Sequence, residues 1–261
     1  MRYLKLFCKT FALELSSELV YKLNFIIKSF SLIIADFVSP VLALLIYNTT
    51  LGIPGWSFEQ FILFQGTLIF IIGLAHLLII TIPYKVIEEV RDGTFDKFLI
   101  KPYNTLMLLT FSSVDIEGLA EVFAGLALIV WSFIRLNLTV FSTNFLVYLF
   151  LIGLGLLFVY SLMVLIASLS FLVIKAEALV SLFFSLVDLA RYPIQIYGIG
   201  FRFFLTFLLP VAIMSTYPAS SLVFGLKFWS ILEITVPVVL FFIISIYLWN
   251  KAMSKYSSAG G

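Results

Sequence analysis

Long apolar stretches, broken by few charges, constrain this chain more than any other feature. They fall at 25–47, 58–82, 106–134, 144–174, 178–192 and 229–249. A helix crossing the hydrocarbon core of a bilayer needs about 20 mostly apolar residues. Strands of a membrane barrel would appear as short alternating runs instead. Lipid cannot satisfy open backbone groups, so runs of this length must be helices. Composition agrees: 62% of the residues are hydrophobic and 11% charged, with a mean hydropathy of +1.16. A soluble domain carries roughly a quarter charged residues, so most of this surface faces lipid. The expected fold is an all-α polytopic membrane protein with six transmembrane helices, forming a single transmembrane domain over 1–261.

Orientation follows from the basic residues, which favour the cytoplasmic side. With the N-terminus inside, Arg2, Lys5, Lys9, Lys22, Lys28, Lys85, Arg91, Lys97, Lys101, Lys175, Lys251 and Lys255 are inner, whereas Arg135, Arg191, Arg202 and Lys227 are outer. Both termini are therefore expected in the cytoplasm. Residues 1–22 carry charges throughout and lack the apolar core of a signal peptide. Leu4, Phe7, Cys8, Phe11, Leu15 and Leu19 recur at helical spacing opposite Arg2, Lys5, Lys9 and Ser16, with Glu18 intruding and Leu6 and Leu13 off the stripe. That pattern predicts an amphipathic helix on the inner membrane surface.

The segment 193–227 is apolar but interrupted by Pro193, Pro210 and Pro218, with Gly198, Gly200 and Arg202 between them. Each proline removes a backbone donor and bends or ends a helix. Short helices dipping into the outer leaflet and returning are expected, as an outer re-entrant segment between spans 5 and 6. A seventh span would place Lys251 and Lys255 outside, against the charge rule.

The loop 83–104 carries Lys85, Glu88, Glu89, Arg91, Asp92, Asp96, Lys97 and Lys101, interleaved with Val86, Ile87, Val90, Phe95, Phe98 and Leu99. Apolar side chains at this density suit a short helix docking into a groove on a soluble partner. A helix lying on lipid headgroups is the alternative, which the acidic residues disfavour beside an anionic leaflet.

The run Glu88-Glu89-Val-Arg91-Asp92-Gly93-Thr-Phe-Asp96-Lys97-Phe-Leu99-Ile-Lys101-Pro102 resembles the cytoplasmic loop of type-2 ABC permeases, in which an acidic helix leads to a Gly-x-x-Asp-x-x-Leu-x-Lys-Pro pattern. Tyr192-Pro193, Leu209-Pro210 and Tyr217-Pro218-Ala219 resemble the outer re-entrant segment of one bacterial branch. The likeness runs from the N-terminal helix to the sixth span. It implies the permease subunit of an ATP-driven exporter in the bacterial inner membrane. It also implies a dimer with a second permease chain, the same or related, and coupling through 88–102 to separate ATP-binding subunits that carry ATP and Mg.

Other chemistries find little purchase. No Gly-x-x-x-x-Gly-Lys-Ser/Thr loop is present, and Gly225-Leu-Lys227 lacks the upstream glycines. Neither Gly-x-Ser-x-Gly nor His-Glu-x-x-His occurs, so no enzyme activity is expected. Cys8 is the single cysteine, which excludes an internal disulfide and a thiolate metal cluster. His76 has no companion at metal-ligand spacing and reads as a packing or pore-facing residue. The acids around Gly93 compete with Arg91 and Lys97 for any Mg²⁺. No metal or other cofactor is expected on this chain. The net charge of +2 gives no footprint for nucleic acid, and the expected surroundings are membrane lipid and protein partners.

Intramembrane charges are costly, on the order of 2.5–3.5 kcal/mol each on insertion scales. Asp36 lies mid-span, four residues before Pro40, and serves either packing through an ion pair or a translocation path. Asp115, Glu117 and Glu121 either mark the cytoplasmic entry of the third span or line that path. Asp188 and Arg191 are spaced as an intrahelical pair, and Glu233 begins the last span. Trp56, Trp229 and Trp249 fall where interfacial anchors sit, and Gly118, Gly125, Gly153 and Gly155 suit close helix packing. An ion-coupled secondary transporter would show matched broken helices in two halves, and only the C-terminal half is broken. A non-transporting membrane scaffold is the remaining rival.

Overall fold

The computed structural model describes residues 2–50, 52–172 and 177–256. Lys175 of the inner charge tally and the end of the 144–174 span lie outside them. Among the described residues the chain is helical without strands: α1 (Arg2–Val20), α2 (Lys22–Thr49), α3 (Phe58–Leu78), α4 (Thr81–Arg91), α5 (Asp96–Leu99), α6 (Thr105–Ser112), α7 (Gly118–Arg135), α8 (Thr143–Leu169), α9 (Glu177–Ala190), α10 (Ile199–Phe203), α11 (Thr216–Val223) and α12 (Phe228–Met253). Five helices are long and apolar enough to cross a membrane: α2, α3 continued through α4, α7, α8 and α12. The fold is thus an all-helical, multi-pass membrane bundle. At 14 residues, α9 is about 21 Å long at 1.5 Å per residue, short of a core about 30 Å thick.

α3 and α8 form the centre. Both are apolar around most of their circumference, as a buried helix must be, and their side chains meet in one continuous core with α4, α9 and α12. α2 and α12 instead turn long apolar faces outward, including Ile34, Val38 and Leu45 on one and Val236, Leu240 and Ile243 on the other. Only lipid or another membrane protein can cover such faces.

Two elements begin where local chemistry restarts a helix. Ile79 and Ile80 both donate to the carbonyl of Ala75, and Pro83 has no N–H to continue the ladder, so the regular helix is interrupted between α3 and α4. The stretch expected as one helix over 106–134 is two, α6 and α7. Asp115 Oδ1 accepts from the backbone N–H of Glu117 at 3.0 Å, and its own N–H turns to the carbonyl of Leu77. This Asx turn competes with a continuous ladder and restarts the chain at Gly118.

The closest helix pair is α3 with α7, and glycine is the reason. A Cβ at Gly73 would lie 2.5 Å from the backbone nitrogen of Val122, and one at Gly125 2.5 Å from that of Phe70. Gly66 and Gly118 complete an antiparallel set in which each glycine faces backbone. Small residues admit such an approach in membranes. Gly118 and Gly125 act as expected, and Gly155 lets the 211–214 turn reach α8, whereas Gly153 faces open space.

Beyond α9 the chain is short helical pieces: a 3₁₀ turn at Ile194–Ile196, α10 running into a π stretch at Phe204–Leu208, a 3₁₀ turn at Val211–Met214, and α11. Pro193 and Pro210 each stand just before a 3₁₀ turn, and Pro218 sits in the first turn of α11, where its missing N–H costs nothing. Arg202 donates to the carbonyls of Tyr197 and Gln195, which closes α10 onto the preceding turn. Ser215 Oγ bonds the carbonyl of Ala190 at 2.7 Å, fastening this region to the end of α9.

α1 lies along α6 and the start of α2. Its packed face is Tyr3, Leu6, Phe7, Phe11, Glu14 and Glu18, while Leu4, Leu13, Leu15 and Leu19 stand exposed. Phe7 and Phe11 pack with Phe25, Leu77 and Ile116. The sequence stripe therefore divides: two of its members face the bundle, and the rest face outward. Of the tryptophans read as anchors, Trp229 is exposed, but Trp56 and Trp249 are buried in aromatic clusters.

Candidate functional site

Two regions gather the polar residues of this chain. The first is a seam inside the bundle. α2 presents Lys28, Asp36, Ser39 and Pro40 on the side that meets α3 and α7, because residues three and four apart share a helix face. The α3–α7 glycines bring His76 to the start of α7, where its Nδ1 lies 2.9 Å from Glu121 Oε2 and its Nε2 3.7 Å from Asp115 Oδ2. Lys28 Nζ reaches Glu117 Oε1 at 2.7 Å. Three carboxylates within one turn of a helix N-terminus also gain from the helix dipole.

Farther along α2, Asp36 Oδ1 accepts from Arg191 Nη2 at 3.4 Å, and Arg191 Nε donates to Asp188 Oδ1 at 3.1 Å. Gln65 of α3 donates its amide to Ser39 Oγ at 3.0 Å and to the carbonyl of Arg191 at 2.7 Å. Asp36, Asp115, Glu117 and Glu121 thus lie along one side of α2 in a seam of two clusters, one of Lys28, Glu117, Asp115, His76 and Glu121 and the other of Asp36, Ser39, Gln65, Asp188 and Arg191. His76 belongs to it rather than standing alone. Lys28, Gln65 and Arg191 were not assigned to it from sequence, although polar residues at spacings of three, four or eight in apolar runs were the available signal.

The second region is the loop between α4 and α6. Gly93 has φ +68, and the N–H groups of Gly93 and Thr94 bond back to the carbonyls of Val90 and Glu89. This is the Schellman arrangement, which needs a left-handed residue and so selects glycine. Glu89 is engaged by Thr94 Oγ1 and Lys97 Nζ, and Lys85 Nζ bonds Ser112 at the end of α6. Val86, Ile87, Phe95 and Phe98, read from sequence as a face for a partner, are buried in the chain's own core. Phe95 enters an aromatic box with Phe98, Phe171 near the end of α8, and Tyr256 beyond α12, and Trp249 of α12 stacks edge-on to Phe171. What faces out is Glu88, Arg91, Asp92, Lys97, Leu99, Ile100, Lys101 and Pro102, with Ile100 82% exposed. Gly93 and Asp96 are half-buried. The tip is therefore an exposed apolar knob ringed by charge, standing on aromatic side chains that grip α8 and α12.

No curated protein and no solved structure matches this chain. A family model does: that of the ABC-2 family transporter protein, matched over residues 30–260. That span includes the intramembrane seam apart from Lys28, the loop tip and every helix from most of α2 onward. The chain belongs to the ABC-2 transporter family and is the membrane permease component of an ABC transporter.

Proposed function

We propose that this permease is the membrane subunit of an ATP-driven exporter in the inner membrane of a bacterium, with both termini cytoplasmic. ATP and Mg belong to a separate ATP-binding subunit, which docks on the 88–102 loop. A second permease chain, the same or related, completes the path, and lipid or that chain covers the outward faces of α2 and α12. In this reading α9 crosses part of the bilayer as the fifth span. The pieces between 194 and 223 complete the outer leaflet as a re-entrant segment, which makes six spans in all. Cargo passes along the seam of Asp36, Asp115, Glu117 and Glu121.

The observation that carries the reading is the loop tip. Leu99, Ile100 and Pro102 are exposed beside Glu88, Arg91, Asp92 and Lys97, while Phe95 immediately behind is wedged against residues flanking α8 and α12. An apolar knob with a charged rim has the anatomy of a protein-binding patch. A push on the knob is passed through packed aromatic rings to two long helices, since close-packed interiors transmit displacement.

Purification in mild detergent followed by mass spectrometry of the retained chains tests the reading. A partner bearing a Gly-x-x-x-x-Gly-Lys-Ser/Thr loop is expected, and Ile100→Asp should release it without changing the permease's own melting. A preparation that never retains an ATPase, or an Ile100→Asp variant that retains it fully, refutes the proposal. Deleting 93–97 would be a poor test, because it removes Phe95 from the core.

A further inference from the structure

Two buried acceptors on the seam have no donor among the described residues. Asp36 Oδ1 takes the bond from Arg191, but Oδ2 takes none. Gln65 spends its amide nitrogen on Ser39 and on the carbonyl of Arg191, and its Oε1 is likewise unpaired. The Arg191 carbonyl can only accept, so it fixes which end of the Gln65 amide is nitrogen. The two orphans share one neighbourhood: Ser39 follows Asp36 by three residues on the same face of α2, and Arg191 touches Asp36 with its side chain and Gln65 with its backbone. Asp36 is 7% exposed and Gln65 0%. Unpaired acceptors inside a membrane protein are costly and mark functional positions.

Charge points the same way. Asp36, Asp115, Glu117, Glu121 and Asp188 are met by Lys28, Arg191 and His76, so carboxylates outnumber cations even with His76 protonated. The missing partner is therefore a positively charged donor. Two acceptors call for at least two N–H groups, as a protonated primary or secondary amine or a guanidinium provides, whereas a quaternary ammonium has none. Pro40, one helical turn after Asp36 on α2, helps line an apolar groove of about 310 Å³. Phe37 and Val41 of α2, Phe58 and Ile62 of α3, and Trp131 of α7 line it. Ile62 precedes Gln65 by three residues, so the groove and the orphan acceptors draw on neighbouring turns of both helices.

We infer that Asp36 and Gln65 form the headgroup site for a cationic amphiphile, an apolar molecule bearing a protonated amine, with its body in the groove. The inference rests on the exporter reading for calling this molecule a cargo, while the site itself stands on the geometry.

The test uses the purified full chain in lipid nanodiscs and fluorescence anisotropy with dansylcadaverine, a primary-amine amphiphile. Its N-acetyl and trimethylammonium analogues serve as neutral and quaternary probes, and empty nanodiscs give the background. The amine should bind about tenfold or more tightly than either analogue, as a charge-assisted hydrogen bond warrants. Asp36→Asn should erase that preference, and Gln65→Glu should strengthen amine binding, so the pair remains decisive if one variant fails to fold. Equal binding of all three probes, no binding of the amine, or an unchanged preference in either variant overturns the inference; a proton then serves the acceptors. A retained ATPase without amine preference sinks the cargo class alone. Amine preference with no ATPase ever retained sinks the exporter reading and leaves an amine site.

Discussion

Gly73 places the heaviest demand on the packing of the bundle. Its hypothetical Cβ lies 2.5 Å from Val122 N, whereas ordinary contact begins at 3.4 Å. Gly73→Ala must therefore part α3 and α7 locally by about 1 Å, because neither backbone can yield inside a close-packed interior. His76, three residues along, then loses its 2.9 Å contact with Glu121, which stretches past the hydrogen-bond limit. Overpacking costs about 1–3 kcal/mol, and the loss of a charge-assisted hydrogen bond adds about 1.5–3 kcal/mol. At about 2–4 °C per kcal/mol for a chain of this size, the midpoint of thermal unfolding should fall by roughly 5–20 °C. The assay is loss of the monodisperse gel-filtration peak after heating in detergent, run beside Gly125→Ala and Gly153→Ala. A Cβ at Gly125 meets Phe70 N at 2.5 Å and should behave like Gly73, whereas one at Gly153 meets nothing within 4 Å. Alanine also favours the helix by about 1 kcal/mol over glycine, so Gly153→Ala should hold or raise the midpoint. If Gly73→Ala melts with Gly153→Ala, close approach is not what assembles the seam.

Phe95→Ala should cost about 3–5 kcal/mol as a buried aromatic truncation and lower the same melting midpoint, whereas Ile100→Ala on the exposed knob should leave it unchanged; equal effects would mean that the loop tip is not anchored through Phe95. Gly93→Ala should destabilise by about 1–2 kcal/mol, because an L side chain is strained at φ +68, and limited proteolysis at the loop would report it; no change in cleavage rate would argue against the left-handed cap. Glu14 on α1 has its pKa raised above the usual carboxylate value by partial burial first and then by Asp115 and Glu18. The folded form thus holds that proton more firmly than the unfolded form, so α1 seats better as pH falls through the raised pKa toward the ordinary one and loosens above it. Protease protection of α1 should follow that sign and become flatter with pH in Glu14→Gln; an unaltered pH profile would remove Glu14 from the account.

Much of the fold was legible in the sequence, because a bilayer leaves a chain few choices. Apolar length alone marks α2, α3, α8 and α12, and Pro193 and Pro210 mark where regular helix gives way to short turns. The 88–102 loop was legible as a special element, but not for the reason its pattern suggested. Val86, Ile87, Phe95 and Phe98 recur as a docking face would, and the same spacing serves equally to pack a helix against its own bundle. The interruption at 113–117 was hidden because Asp115 ends one helix by turning to Leu77, a residue distant in sequence. Among the glycines, Gly118 and Gly125 were readable as packing positions, but Gly66 and Gly73 gain meaning only when α7 lies against them.

The sequence by itself determined that this is a helical membrane protein, because burial of backbone hydrogen bonds and the length of each apolar run are local properties. Only the tertiary structure decided that Asp36, Gln65, His76, Glu121 and Arg191 form a single seam. They are spread over four apolar stretches, Gln65 and His76 sharing α3, and what joins them is the distance at which α2, α3, α7 and the end of α9 pack. Between α3 and α7 that distance is set by the absence of a Cβ at Gly73 and Gly125.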